Sequence, residues 1–192
     1  MRAFLFYDTE TTGLPLSYTA PLSNGDNWPR LVQIAYILYD QTGKQLTANS
    51  ATIKPEGFVI PKSASDLHGI TTERALAEGR ALLPVLGSMH KRRLKADVIV
   101  GHNITFDENV LGAEFYRAAL LIEHKPFICT MKAGMDVCKL PGAYGQYKWP
   151  KLVQLHSKLF GCDFEGAHGA AADVAATAKC FWEMVKMGVI KI

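Results

Sequence analysis

Asp8 and Glu10 carry the clearest chemical signature in the chain. They sit two apart, after the apolar, aromatic-rich run Ala3 to Tyr7 and just before Thr11-Thr12-Gly13-Leu14. Such a run, closed by a glycine turn, predicts a buried strand. Side chains alternate faces along a strand, so Asp8 and Glu10 point the same way. Two carboxylates that close repel each other and hold their protons more tightly. A divalent cation relieves the repulsion, and Mg²⁺ prefers carboxylate oxygens. The stretch alone fits equally well a strand that ends in a solvated turn.

Two further acids stand where a core would not want them. Asp107 opens a helix just after the short apolar strand Asp97 to Gly101. Asp173 lies among alanines, five residues after His168. A lone acid in a run of small residues predicts a helix whose backbone approaches something closely. An imidazole titrates near neutrality, which suits a general base, and Gly169 gives the loop before that helix freedom to move. Histidines 90, 124 and 156 lack such a context and read as surface or packing residues.

The elements that must position these groups follow in order. Leu31 to Asp40 is a second, almost wholly apolar strand, and Gln45 to Lys54 a third, stopped by Pro55. Their short connection predicts an antiparallel hairpin. Thr71 caps a helix that Gly79 ends, and a second helix runs from about Ala81 to Leu94. Its basic end, His90 to Lys95, reads as a solvated helix terminus favoured by the macrodipole. A helix from about Thr105 to Leu121, a strand at Phe127-Ile128-Cys129 and a short helix from Met131 to Cys138 follow. Helices over Lys151 to Phe160 and Ala170 to Met187 complete the chain. Two segments read as loops: 15–30, either a functional flap or an insertion, and 139–150, where Lys139, Tyr144, Tyr147, Lys148 and Trp149 interleave bases with aromatics. A hairpin followed by right-handed crossover units predicts an α/β fold, a mixed sheet covered by helices on both faces.

The bulk numbers are compatible with this. At 192 residues the chain reads as one domain spanning 1–192, with a sizeable core. Apolar content of 48% and charged content of 20% argue against disorder. A net charge of +3 suits an anionic partner without demanding one. The four cysteines lie far apart without metal-ligand spacing, so reduced thiols in a cytoplasmic protein are expected. No stretch is apolar for the roughly 20 residues a membrane span needs, and the first apolar run is too short for a signal peptide.

Three motifs together resemble the DEDDh, or DnaQ-like, family of 3′→5′ exonucleases of the ribonuclease H-like superfamily. Asp8 to Leu14 match Asp-x-Glu-Thr-Thr-Gly-Leu, His102 to Asp107 match His-Asn-x-x-Phe-Asp, and His168 with Asp173 match His-x-x-x-x-Asp. Leu67 to Thr71 resemble the family's His-Gly-Ile-Thr stretch. The resemblance implies a mixed five-stranded sheet, strands 1–3 antiparallel and strands 4–5 parallel. It implies hydrolysis of phosphodiester bonds at the 3′ end of nucleic acid, with single-stranded DNA ahead of RNA, releasing nucleoside monophosphates. Two divalent ions, Mg²⁺ or Mn²⁺, would be held by Asp8, Glu10, Asp107 and Asp173, with Asp8 bridging both. His168 would take the proton of the attacking water. Thr11, Leu14, His68, Asn103 and Phe106 would contact the terminal nucleotide, and His102 would serve a structural role.

Other readings compete. A polymerase-associated proofreading subunit ranks lower, because the last helix is expected within a few residues of the chain's end. An RNA 3′-trimming enzyme would use the same site. A catalytically silent nucleic-acid-binding module should have lost one of the five catalytic residues, and all five are present. A homodimer is a further expectation from the family.

Overall fold

The computed structural model describes residues 2–192. Its centre is β1 (Ala3–Thr11), which pairs antiparallel with β2 (Leu31–Asp40) on one side. On the other side it pairs in parallel with β4 (Val98–Gly101). The sheet continues outward to β3 (Gln45–Thr52) and β5 (Phe127–Cys129), in the order β3-β2-β1-β4-β5. This is the expected mixed sheet: strands 1–3 are antiparallel and strands 4 and 5 join in parallel.

The alternation along β1 assigns its two faces. Leu5 and Tyr7 face a core built with Val85, Leu86 and Met89 of α3 (Leu82–Lys95) and Val110, Leu111 and Phe115 of α4 (Ile104–Arg117). Phe4 and Phe6 face the opposite core, with Val174, Phe181 and Met184 of α8 (Ala170–Lys186). Phe6 and Phe181 meet edge-on at 5.1 Å, an aromatic pair of the kind that contributes about 0.5–1.5 kcal/mol beyond its buried area. Helices therefore cover both faces. Asp8 and Glu10 continue the α8 face, and Thr9 continues the α4 face.

Smaller elements complete the shell. The helix α1 (Lys62–His68) was not expected from the sequence. Its one buried side chain, Ala64, joins Val32, Ile60, Ile70 and Ala75 in a third small core. With so little apolar surface to bury, it shows no helical stripe to read. The helix α2 (Thr72–Glu78) starts as expected: Thr71 caps it by accepting from the Arg74 N–H at 3.2 Å. The expected helix 131–138 is two short turns, α5 (Thr130–Ala133) and α6 (Met135–Cys138). The helix α7 (Leu152–Phe160) ends at Gly161, whose φ of 74° is the left-handed conformation that glycine accepts at little cost.

The basic end of α3 corrects one expectation. Arg93 is only 1% exposed, not solvated. It forms a two-pronged ion pair with Glu108 of α4, donates to the Glu123 carbonyl at 2.8 Å, and shares Glu108 with the Tyr7 hydroxyl. His156 is buried, its Nδ1 2.9 Å from the Cys162 carbonyl, so it is a packing residue. Among the described residues no helix is long and apolar enough to cross a membrane.

Candidate active site

At the C-terminal end of β1, the carboxylates of Asp8, Glu10 and Asp173 converge. One oxygen from each lies within 4.8 Å of the others. Strand alternation brings Asp8 and Glu10 to one face, and α8 brings Asp173 to meet them. The start of α8 is tied there by Gln33 of β2, which pairs with Glu10 across the sheet. Its Oε1 accepts from the Ala170 N–H at 3.2 Å. Asp173 is itself oriented by the His168 N–H, which donates to its Oδ2 at 3.2 Å.

Asp107 approaches from the other face. It is 3% exposed in the first turn of α4 and accepts twice from Thr9, from its N–H at 3.0 Å and from its hydroxyl at 2.6 Å. Thr9 lies between Asp8 and Glu10 in sequence, so the same strand end presents three residues to the acids around it. Asn103, in the left-handed conformation at φ 67°, turns the chain from β4 into α4 and brings Asp107 back over the strand ends.

Burial, and for Asp8 and Glu10 also the neighbouring acids, raises the proton affinity of these groups. Burial pushes Asp8 well above the ordinary carboxylate range, and Asp107, Asp173 and Glu10 push it further. Glu10 is pushed up to about 8 by burial, then by Asp173 and Asp107. Asp107 is pushed up to about 7 by burial, against the two Thr9 hydrogen bonds that favour its charged form. Asp173 is raised by burial, and its His168 contact opposes the rise. Three half-buried carboxylates and the buried Asp107, without a cationic side chain among them, form an all-oxygen donor set. That set fits hard divalent ions such as Mg²⁺ or Mn²⁺.

His168 occupies the turn just before α8, exposed, with φ 67°. It lies at the rim, beside Asp173, rather than in the acid cluster. His102 is different. Its ring is clasped between the Thr130 hydroxyl at 3.1 Å and the Pro150 carbonyl at 3.0 Å, and burial pushes its pKa down to about 4. It is neutral and ties the end of loop 139–150 to the β4–α4 junction, as a structural histidine would.

A cleft of about 330 Å³ opens beside the acids. One wall is Thr9, Glu10, Thr11, Gly13 and Leu14; a second is Ser63, Ala64, Leu67 and His68 of α1; Phe106 of α4 closes it. Four of the five expected substrate contacts, Thr11, Leu14, His68 and Phe106, share this cleft, while Asn103 lies outside it. Leu14 is 73% exposed, so it is not a core residue. His68 accepts from the Ile70 N–H through Nδ1 at 3.1 Å, leaving the buried Nε2 without a partner. Burial lowers its pKa, against the Thr11 backbone nearby.

Sequence reading passed over two contributors, Thr9 and Gln33. The first is the middle residue of Asp-Thr-Glu, and the second is the one amide in an otherwise apolar strand. A polar residue interrupting LVQIAYILYD was the available signal for Gln33. The aromatics of loop 139–150 stay exposed, with Tyr144 fully so, and none of them lines the cleft.

Comparison with known proteins agrees with this geometry. A family model described as Exonuclease (RNase_T) matches residues 5–181. The chain is 28% identical over 183 residues to the "DNA polymerase III PolC-type" of Streptococcus suis, covering 95% of this chain and 11% of that protein. The corresponding protein of Listeria monocytogenes is 24% identical, with the same coverage. Among solved structures, E. coli exonuclease I in complex with a dT13 oligonucleotide superposes with a TM-score of 0.75 at 23% identity, covering 97% of this chain and 41% of that one. A zinc-bound complex of the same E. coli enzyme with single-stranded DNA gives a TM-score of 0.73 at 24% identity, with the same coverage. These structural likenesses establish the fold. The chain spans about a tenth of the polymerases and less than half of the exonuclease I chains.

Proposed function

The chain belongs to the RNase_T exonuclease family, and on that premise we propose that it is a metal-dependent 3′→5′ exonuclease that trims single-stranded DNA to nucleoside monophosphates. The observation that carries the reading is the meeting of the Asp8, Glu10 and Asp173 carboxylates, with Asp107 buried against Thr9 beside them.

Asp8, Glu10 and Asp173 would hold one divalent ion, and Asp8 with Asp107 a second. When bound, such ions polarise the scissile phosphodiester, activate a water and stabilise the leaving 3′ oxygen. The protein's own residues do the remainder. Thr9 orients the carboxylate of Asp107 and favours the charged form that binds cations, against the burial that raises its proton affinity. His168 accepts the proton of the attacking water at a ring nitrogen, from a turn exposed enough to reach it. Leu14 and Phe106 offer apolar surface to the terminal base and sugar, and the Thr11–Gly13 backbone offers polar groups. Stacking on such surfaces tolerates any base, which suits a nuclease without sequence preference. Neither the acids nor the histidine reads a 2′-hydroxyl, so DNA is favoured through the exonuclease I likeness and not by the acids themselves.

Likeness to PolC-type polymerases supports a second reading, in which this exonuclease serves a polymerase. The test of the first reading is digestion of matched 3′-labelled DNA and RNA, single-stranded and duplex, with Mg²⁺ and an Asp107→Ala control. Release of mononucleotides from single-stranded DNA, lost in the control, supports it. Activity confined to RNA, or equal in the control, overturns it.

A further inference from the structure

The cleft's walls come from three separate parts of the chain: the end of β1 with the turn after it, α1, and the start of α4. Arg30, which does not line the cleft, touches the Leu14 turn and α4 directly and reaches α1 through Phe58. Its backbone closes a two-way hydrogen bond with Thr12: the Arg30 N–H donates to the Thr12 hydroxyl at 2.9 Å, and the Thr12 N–H donates to the Arg30 carbonyl at 3.0 Å. Thr12 sits between Thr11 and Gly13, which the Thr11 hydroxyl links by donating to the Gly13 carbonyl at 2.7 Å. The turn that carries Leu14 is therefore pinned by Arg30.

The side chain links this turn to α4 and to the support of α1. Its Nε donates at 2.8 Å to Glu114, a fully buried carboxylate of α4, the helix that carries Phe106 and Asp107. The guanidinium plane lies over the ring of Phe58, 4.4 Å from its centroid. Phe58 packs against the small core of Val32, Ile60 and Ala64 that seats α1. A planar guanidinium can donate in its plane and stack on its face at once, and an ammonium cannot.

We propose that Arg30 is a positioning residue that couples the Leu14 turn, α4 and the α1 segment, and so sets how tightly the cleft grips the 3′ end of a strand. This rests on the nuclease reading above. Arg30 bonds to none of the four acids, and Asp107 is held by Thr9, so the effect falls on substrate binding and not on the chemical step. Glu114 also accepts from the Leu31 N–H at 3.0 Å and has the Arg117 guanidinium 3.1 Å away, so its charge keeps a cationic neighbour when Arg30 is changed.

The test compares Arg30→Met, Arg30→Lys and Phe58→Leu with wild type. Steady-state trimming of a 3′-labelled single-stranded oligonucleotide is measured with Mg²⁺, and equilibrium binding of the same strand by fluorescence anisotropy with Ca²⁺. Arg30→Met raises KM and the binding constant about tenfold, with kcat within about twofold. Arg30→Lys falls between Arg30→Met and wild type, because it keeps the charge on Glu114 and loses the stack. Phe58→Leu raises both constants about threefold. Thermal melts confirm that each variant is folded; if Arg30→Met is not, the other two decide. Unchanged binding in the folded variants, or a fall in kcat at constant KM, overturns the inference while leaving the nuclease reading intact. A wild-type chain that trims no 3′ end overturns that reading, and the inference with it.

Discussion

Asp107 and Thr9 are joined twice: the carboxylate accepts from the Thr9 backbone at 3.0 Å and from its hydroxyl at 2.6 Å. Thr9 is the residue between the paired acids Asp8 and Glu10, so a single strand position fixes an acid delivered from a helix nearly a hundred residues later. Both bonds favour the charged form of a group that burial would otherwise keep protonated.

Thr9→Val tests this link. Valine matches the shape of threonine and keeps the backbone donor, but it removes the hydroxyl bond. Outer partners of metal ligands typically tune affinity by about 10–100-fold. The variant should need at least about tenfold more Mg²⁺ for half-maximal activity and recover most of its rate at saturation. A Mg²⁺ titration that overlays that of wild type would show that the hydroxyl does not tune the site.

The raised acids make stability depend on pH and on metal together. Glu10 moves from 4.5 to about 8, and Asp107 from 3.8 to about 7. The folded, metal-free protein thus binds protons that the unfolded chain has already lost. Its stability falls as pH rises from about 4 to about 8, with the full cost present above the folded values and absent below the unfolded ones. A bound cation removes that cost. The rise in Tm caused by Mg²⁺ should therefore grow between pH 5 and pH 8.5 by about 3 °C or more. Thermal melts with EDTA and with Mg²⁺ across this range check it, and a metal effect that shrinks with pH would contradict it.

The buried Arg93–Glu108 pair predicts a stability loss from a contact that holds no metal ligand directly. Arg93→Met leaves the Glu108 carboxylate without its cation, at a cost of about 3–5 kcal/mol. Adding Glu108→Leu should recover part of that loss. Urea unfolding of both variants measures it, and a single-variant loss below about 1 kcal/mol would mean the pair is relaxed by water.

His168→Ala should lower kcat by about 10²–10⁴, the usual scale for a general base, while leaving the Mg²⁺-induced rise in Tm as in wild type. Single-turnover kinetics beside thermal melts separate the two. Alanine keeps the backbone N–H that donates to Asp173, so loss of the metal effect would assign the imidazole to holding the metal site instead of to proton transfer.

The strands and the acids were legible because their signals are local. β2 and β5 lie where the apolar runs and turns place them, and the three acid motifs sit in the expected strand and helices. Long-range partnership was not legible. The sequence around Arg93 reads as a basic helix end, and only the fold reveals Glu108 and Tyr7 opposite it. Loop 15–30 gave no sign of its anchoring: Leu22 packs where Gly112 leaves no room for a Cβ, and Trp28 is buried with its indole N–H on the Pro21 carbonyl at 3.2 Å. Helix α1 was invisible because it buries a single alanine. The fifth expected substrate contact, Asn103, lies outside the cleft, at a turn whose positive φ asks for an asparagine on backbone grounds alone.

The central claim is that the four acids form one metal-dependent phosphodiesterase site. Its most direct test is release of nucleoside monophosphates from a 3′-labelled single strand by wild type and by Asp8→Asn, each with Mg²⁺ and with EDTA. Mononucleotide release that requires both Mg²⁺ and Asp8, with the variant at least about 10³-fold slower, is the predicted result. Trimming that persists in EDTA, or in Asp8→Asn at a rate near that of wild type, would contradict it.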